Sequence, residues 1–390
     1  MLRSHKKNIN IGTIDKIGKI LSYIRAFINK NVVMCIACLA AIITTIWVPV
    51  DRAYLDYFDY KTLSCLFCVL AVVCALKNIN FFYMLARKVV QFFKTARMSV
   101  LALVYITFIG SMLIANDMAL LTFLPLGYFV LTTTNMKKYM AFTFIMQNIA
   151  ANLGGMLTPF GNPQNLYLYS KFGIPNIEFM SIMLLPFVFS VLLITLSCII
   201  FVKAEPLQLE KEKIKLNPWK TALYLLLFLL SIVIVFRGVS FWIGLIIIPL
   251  VLIIVDKQAL KMVDYGLLLT FVFFFIFAGN MARIEEVREL LAGLLEKNTL
   301  LFSILSCQFI SNVPSAILLS QFTSNYIDLL IGVNIGGVGT LISSLASLIT
   351  LREYAKDNPG RTKYYIATFS LINFSFLILL TGFVFIIKLF

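Results

Sequence analysis

Three features of the sequence predict an all-α polytopic membrane protein. Hydrophobic residues make up 61% and charged residues only 13% of the 390 positions, a balance that water-soluble domains do not reach. Apolar runs of roughly 18 to 25 residues, enough to cross a ~30 Å hydrocarbon core, recur along the length and leave no room for a soluble domain. Several runs are interrupted near their middle by Asn, Asp, Gly or Pro, where lipid offers the freed backbone no hydrogen bonds and only protein, water or a ligand can.

Charge and cysteine usage exclude several other classes. The net charge of +15 is spread over short loops between apolar runs, as membrane topology requires, so no nucleic-acid partner is expected. His5 is the only histidine, which removes histidine-based metal sites and catalytic triads. Cys35/Cys38 and Cys65/Cys68 make two CxxC spacings. With Cys74, Cys198 and Cys307 they fall in or beside apolar segments, where a free cysteine packs as a small hydrophobe. No cofactor is expected, and no metal beyond a coupling Na+.

Residues 1–30 interleave apolar side chains with seven Lys and Arg and read as a basic amphipathic segment on the cytoplasmic face. The first clearly apolar run begins near Val32 and is long enough to remain as a span. Residues 31–202 form a first repeat: spans at about 32–49 and 60–77, an interfacial aromatic and basic stretch over 78–97, and then a 35-residue apolar run, 98–132, broken by Asn116-Asp117. A straight helix of that length would measure about 52 Å, so a re-entrant hairpin turning at Asn116 is predicted. A broken helix follows over 139–169, and a return span over 179–202. Residues 203–218 form a charged cytoplasmic linker. The second repeat, 219–390, holds spans at about 219–236, 241–256 and 264–281 and an amphipathic piece, 282–298. A hairpin, 299–325, turns at Ser311-Asn312, a second broken helix covers 326–350, and a final span ends the chain. The total is about 11 spans.

The two halves match in order and in motif. Ile114-Ala-Asn116 pairs with Ile310-Ser-Asn312, and the stretch from Asn152 through Gly154, Gly155 and Thr158 pairs with that from Asn334 through Gly336, Gly337 and Thr340. Two coordinated matches make a repeat. With the N-terminus cytoplasmic, 25 of the 33 basic residues lie on the cytoplasmic side, in keeping with the positive-inside rule. The first hairpin then enters from the cytoplasm and the second from outside, and the C-terminus is extracytoplasmic. Such inversion is the construction of secondary transporters, so the fold class narrows to an inverted-repeat transporter with two re-entrant helical hairpins and two broken transmembrane helices, placed in the cell membrane.

Two hairpin tips and two breaks bring four helix ends to one place. Ends with free N–H groups attract anions and ends with free carbonyls bind Na+. The substrate candidates at the tips are Asn116, Asp117, Ser311 and Asn312. The break itself is carried by Gly154, Gly155, Thr158, Pro159, Gly161, Pro163 and Asn165 in the first half and by Gly336, Gly337 and Thr340 in the second. Glycines there let the backbone approach a ligand closely.

Asn116-Asp-Met-Ala-Leu-Leu-Thr-Phe-Leu-Pro125, Gly154-Gly-Met-Leu-Thr-Pro-Phe-Gly-Asn-Pro-Gln-Asn165 and Ser311-Asn-Val-Pro314 resemble the ion-transporter superfamily, which includes divalent-anion:sodium symporters, citrate transporters, arsenite permeases and some Na+/H+ antiporters. The resemblance implies a homodimer with a scaffold and a moving transport domain, an elevator-like motion, and a small anionic solute coupled to Na+ or H+. It places one cation site on Ser111, Ala115, Asn116 and the backbone near Gly161, and another around Cys307, Ile310, Asn312 and Ser343. Substrate would lie between Asn116, Asn162, Asn312 and Ser344.

The symporters carry Ser-Asn-Thr tips; here both threonines are replaced, by Asp117 and Val313. In place of a Pro-Pro-Asn turn the second half has Ser343-Ser-Leu-Ala-Ser347, closer to the arsenite and antiporter branches. A carboxylate at Asp117 repels a dianion unless it is protonated or neutralised, which keeps a Na+/H+ antiporter or an arsenite-type permease as the alternative. An enzyme is not expected, since Asp117 has no catalytic partner in the apolar runs.

Overall fold

The computed structural model describes residues 22, 27, 28, 31–206 and 216–389. The expected amphipathic segment 1–30 lies almost entirely outside the described residues, as does most of the linker, 207–215. Among the described residues the fold is all-α, with one isolated β-bridge between Thr95 and Pro206.

Among the described residues seven helices are long and apolar enough to cross a membrane, and three shorter ones are apolar, so the chain is a multi-pass membrane protein. A first group builds a frame: α1 (Val32–Trp47), α2 (Tyr60–Asn78), α9 (Pro218–Val235), α10 (Phe241–Val255), α11 (Lys257–Lys261) and α12 (Tyr265–Arg283). Helix α1 runs along α12, and α2 is enclosed by α9, α10 and α11. Thus α2 is buried over most of its length, although α9 exposes its apolar side chains, as a helix against lipid can. Cys68 of α2 packs on Gly244 of α10, with its Sγ 3.0 Å from where a Cβ would stand. All seven cysteines are free.

The short amphipathic helix α3 (Phe81–Val90) occupies part of the expected interfacial stretch 78–97. The apolar run after it is two helices, α4 (Ala96–Ile114) and α5 (Asn116–Thr133), which meet at Ala115 with φ 64° and ψ 152°. They fold back on each other, since a Cβ on Gly110 would lie 2.4 Å from the Phe123 ring. The second hairpin has the same form. Helix α13 (Glu285–Ile310) kinks at Asn298, whose Oδ1 caps Leu301 N at 2.9 Å, and α14 (Asn312–Leu319) starts after Ser311 with φ 75° and ψ 158°. Its arms are tied by Ser306 and Ser315, Oγ to Oγ 2.8 Å. The amphipathic piece expected over 282–298 therefore ends at the kink.

Both predicted broken helices are broken. The first consists of α6 (Met140–Gly154), a 3-10 turn over Gly155–Leu157, and α7 (Pro163–Lys171); the second of α15 (Tyr326–Ile335) and α16 (Leu345–Asp357). Helix α6 lies between the arms of its own hairpin and α15 against α13, whereas α7 crosses to α14 and α16 crosses to α5. Each broken helix therefore starts in its own half and ends in the other. Helices α8 (Asn176–Phe201) and α17 (Thr362–Ile387) pack on this unit with mostly exposed apolar faces.

Candidate substrate site

The two helix breaks are built alike. Ala115 and Ser311 share a backbone conformation that only glycine adopts without strain. It turns the following asparagine so that Asn116 Oδ1 accepts Asp117 N and Asn312 Oδ1 accepts Val313 N, both at 2.9 Å. Thr158 Oγ1 donates to Met112 O at 2.8 Å and Thr340 Oγ1 to Gln308 O at 3.0 Å, each fastening a break to its hairpin. Gly154 lies so close to α4 that a Cβ would stand 2.2 Å from Phe108 O and 2.6 Å from Ser111 Oγ. On Gly336 it would stand 2.8 Å from Cys307 Cβ.

The asparagines join the halves. Asn152 Oδ1 accepts Asn116 Nδ2 at 3.2 Å and Ser344 Oγ at 2.8 Å; Asn334 Oδ1 accepts Asn162 Nδ2 at 3.3 Å, while its Nδ2 donates to Asn165 Oδ1 at 2.6 Å. Ser344 and Asn162 are equivalent positions of the repeat. Each half thus reaches across to the helical asparagine of the other. All six residues are buried.

Beside this network lies a cleft of about 90 Å³, lined by Asn116, Asp117, Pro163, Ser311, Asn312 and Ser344. These are the first residues of α5, α7, α14 and α16 or their caps. Four helix N-termini therefore face one space, each with the positive end of its dipole. The rim comes from the starts of α1 and α12 and from Arg352 of α16, with Asn31, Asp264 and Thr270. Asp117 Oδ1 is buried and has no hydrogen-bond partner among the described residues.

Other expected residues stand behind the cleft. Asn162 bonds Asn152 O at 3.0 Å in addition to Asn334. Asn165 Nδ2 bonds the carbonyls of Gly155, Met156 and Thr158 at 3.1, 3.3 and 3.4 Å. Ser111 Oγ donates to Phe108 O at 2.8 Å, and Ser343 Oγ to Gly337 O at 3.0 Å. Gly161 approaches Gly155 and Thr158 so closely that a Cβ would meet the Gly155 carbonyl at 2.4 Å, and Gly337 stands beside Asn312. Pro159 is buried within the break. The sequence reading named Asn152 and Asn334 as marks of the repeat and not as the centre of the network. It missed Gln308, whose Nε2 bonds Gly336 O and Val338 O at 2.9 and 3.2 Å while its Oε1 accepts Thr340 N at 2.9 Å. It also missed Asp264 and Arg352. A polar side chain inside an apolar helix is the signal that could have found the first three.

Comparison with known proteins points the same way. The family described as "Citrate transporter" matches residues 20–326, which include both hairpins and the first break. The chain is 34% identical over 300 residues to an uncharacterized transporter of Methanocaldococcus jannaschii, covering 75% of this chain and 81% of that protein. It is 28% identical over 304 residues to the inner membrane protein YbiR of Escherichia coli, covering 75% and 80%. With a matching family over most of its length and a relative of this identity and coverage, the chain belongs to the citrate transporter family.

Proposed function

We propose that the protein is a secondary active transporter that moves a small anion, a citrate-like carboxylate or an inorganic oxyanion, across the cell membrane. The observation that carries this reading is the convergence of the N-termini of α5, α7, α14 and α16 on one cleft that also presents Asn116, Asn312 and Ser344. Backbone dipoles attract the anion, and the amides supply donors that orient it. In this reading the coupling ion, Na+ or H+, binds behind the tips, near Ser111 and Gly161 in one half, where Gly161 crowds the Gly155 carbonyl, and near Ser343 and the Gly337 carbonyl in the other.

Helices α4 to α7 and α13 to α16 move together in this reading, as an elevator-type transport domain of re-entrant hairpins and broken helices, against a frame made of α1, α2 and α9 to α12. A homodimer would anchor the frame. The rim of the cleft, made by the starts of α1 and α12 and by Arg352 of α16, faces the cytoplasm in this reading, where the basic loops stay. In this reading the contacts of Tyr167 with Ser320, at 2.9 Å, and with the Phe275 ring, at 5.5 Å between centroids, close the other side, an inward-open arrangement.

The test is flux into proteoliposomes for citrate and other carboxylates, sulfate, phosphate and arsenite, with Na+ and pH gradients imposed separately. Anion accumulation driven by one gradient supports the reading, and no accumulation of any member sinks it. The unpartnered Asp117 oxygen favours one second reading, Na+/H+ exchange. A Na+-driven pH change without any anion, lost in Asp117→Asn, would establish it.

A further inference from the structure

Away from the cleft, α2, α3, α4 and α9 enclose a cavity of about 580 Å³ whose walls are almost wholly apolar. Leu76, Phe82, Ile106, Phe123 and Phe228 form its interior, and Leu85 and Ile109, 50% and 54% exposed, stand at its open side. Such a space is unfavourable to fill with water, since the walls give a water molecule no partners. At membrane depth the matter available to fill it is hydrocarbon.

The charged residues that adjoin the lining on α3 and just past it are basic. On α3, Phe81, Leu85 and Val89 face the cavity at helical spacing, and Lys88, one turn beyond Leu85, is exposed; Lys94 is exposed just past the helix. Arg87 points elsewhere, its guanidinium 4.8 Å from the centre of the Phe129 ring. From Tyr60 to Asn116 and from Pro218 to Val255, the stretches that supply most of the walls, there is no Asp or Glu. The neighbouring Glu205 is held by Lys138 at 2.6 Å. An apolar slot with no Asp or Glu among its lining residues, flanked in the chain by exposed Lys88 and Lys94 and with the nearby Asp256 carboxylate bonded by Asn78 and Tyr224, suits a chain of methylenes ending in a phosphate.

We propose that this cavity is a binding site for an anionic phospholipid, with an acyl chain between α4 and the frame and the phosphate at Lys88 and Lys94. The assignment does not depend on what the protein transports. The full-length protein is reconstituted in phosphatidylcholine vesicles containing a phosphatidylglycerol with a photoactivatable group on its acyl chain. Label is expected on peptides covering 81–113 and 225–228, displaced by unlabelled phosphatidylglycerol and not by phosphatidylcholine. Lys88→Glu with Lys94→Glu is expected to weaken labelling roughly tenfold or more, at about 1 kcal/mol for each basic residue near a membrane surface. Ala102→Trp, which fills the slot, is expected to abolish it. Three results on the native chain overturn the proposal: label spread evenly over α8 and α17, equal displacement by the two lipids, or cavity peptides never labelled, as when a second copy or a segment of this chain is seated there.

Discussion

The two breaks face the same problem, carbonyls freed inside an apolar protein, and solve it with different residues. In the first, Asn165, from the far side of the break, turns back to bond the carbonyls of Gly155, Met156 and Thr158. In the second, Ser347 stands at the equivalent place, too short for that task, and Gln308 reaches in from the hairpin to Gly336 and Val338. At the position equivalent to Gln308 the first half has Met112, which offers only its backbone carbonyl to Thr158. The two breaks keep one geometry and secure it from different positions of the repeat. Both breaks are tied to their hairpins by a threonine; the first satisfies its freed carbonyls with its own Asn165 and the second with Gln308 of the hairpin.

Where the halves agree, equal damage should follow. Asn116→Ala and Asn312→Ala are each expected to lower uptake roughly ten- to a hundredfold, for a lost binding-site hydrogen bond of about 1–3 kcal/mol; the check is initial-rate flux with size-exclusion profiles to confirm folding. The contrast begins at the glycines. Gly154→Ala sets a Cβ 2.2 Å from the Phe108 carbonyl oxygen of the facing helix, while Gly336→Ala meets Cys307 Cβ and the Gly332 carbonyl of its own turn at the longer distance of 2.8 Å. The first is expected to destabilise by about 3 kcal/mol and the second by nearer 1, read as the ratio of the two drops in melting temperature.

Asn165→Ala and Gln308→Ala each orphan buried carbonyls, at about 1–3 kcal/mol. The difference to look for lies in mobility. Gln308→Ala is expected to raise hydrogen exchange in both α13 and the second break, and Asn165→Ala only in the first. The smallest effects have the opposite sign. Ala115→Gly and Ser311→Gly remove a strained conformation and are expected to stabilise by about 1 kcal/mol. The gain should be smaller at Ser311, whose Oγ gives up a 3.3 Å hydrogen bond to Ser343 O. A melting temperature that falls in both would show that the turn is not strained.

Much of this was legible in the sequence. Asn116 and Asn312 in apolar surroundings and the duplicated Asn-x-Gly-Gly marked both tips and both breaks, because a polar residue or a glycine pair in a membrane helix needs a local reason. The cross-links were not legible. Asn152 meets Ser344, and Asn162 meets Asn334, across more than 170 positions of chain, and no local pattern encodes which buried amide finds which. The rim failed for a similar reason: Asp264 caps Leu267 N at 2.9 Å, an ordinary helix start, and only the approach of α12 to the tips brings it to the cleft. Arg352 sits on what reads as a solvated helix end. Hairpin depth was partly legible, since 36 residues separate Asn116 from Asn152 and 22 separate Asn312 from Asn334, and the first hairpin's arms are indeed the longer.

The packing of α1 and α2 has a consequence for how the molecule is made. Helix α1 finds its partner in α12, through contacts such as Asn280 Nδ2 to Thr44 Oγ1 at 3.1 Å, and the loop after it is held by Arg283 on Asp51 at 2.7 Å. The walls around α2 come from α9 and α10. A ribosome that has released only the first repeat has therefore inserted two helices whose main neighbours do not yet exist. The frame closes after residue 283 has entered the membrane, so the earliest-made helices wait longest, and neither repeat is a folding unit by itself.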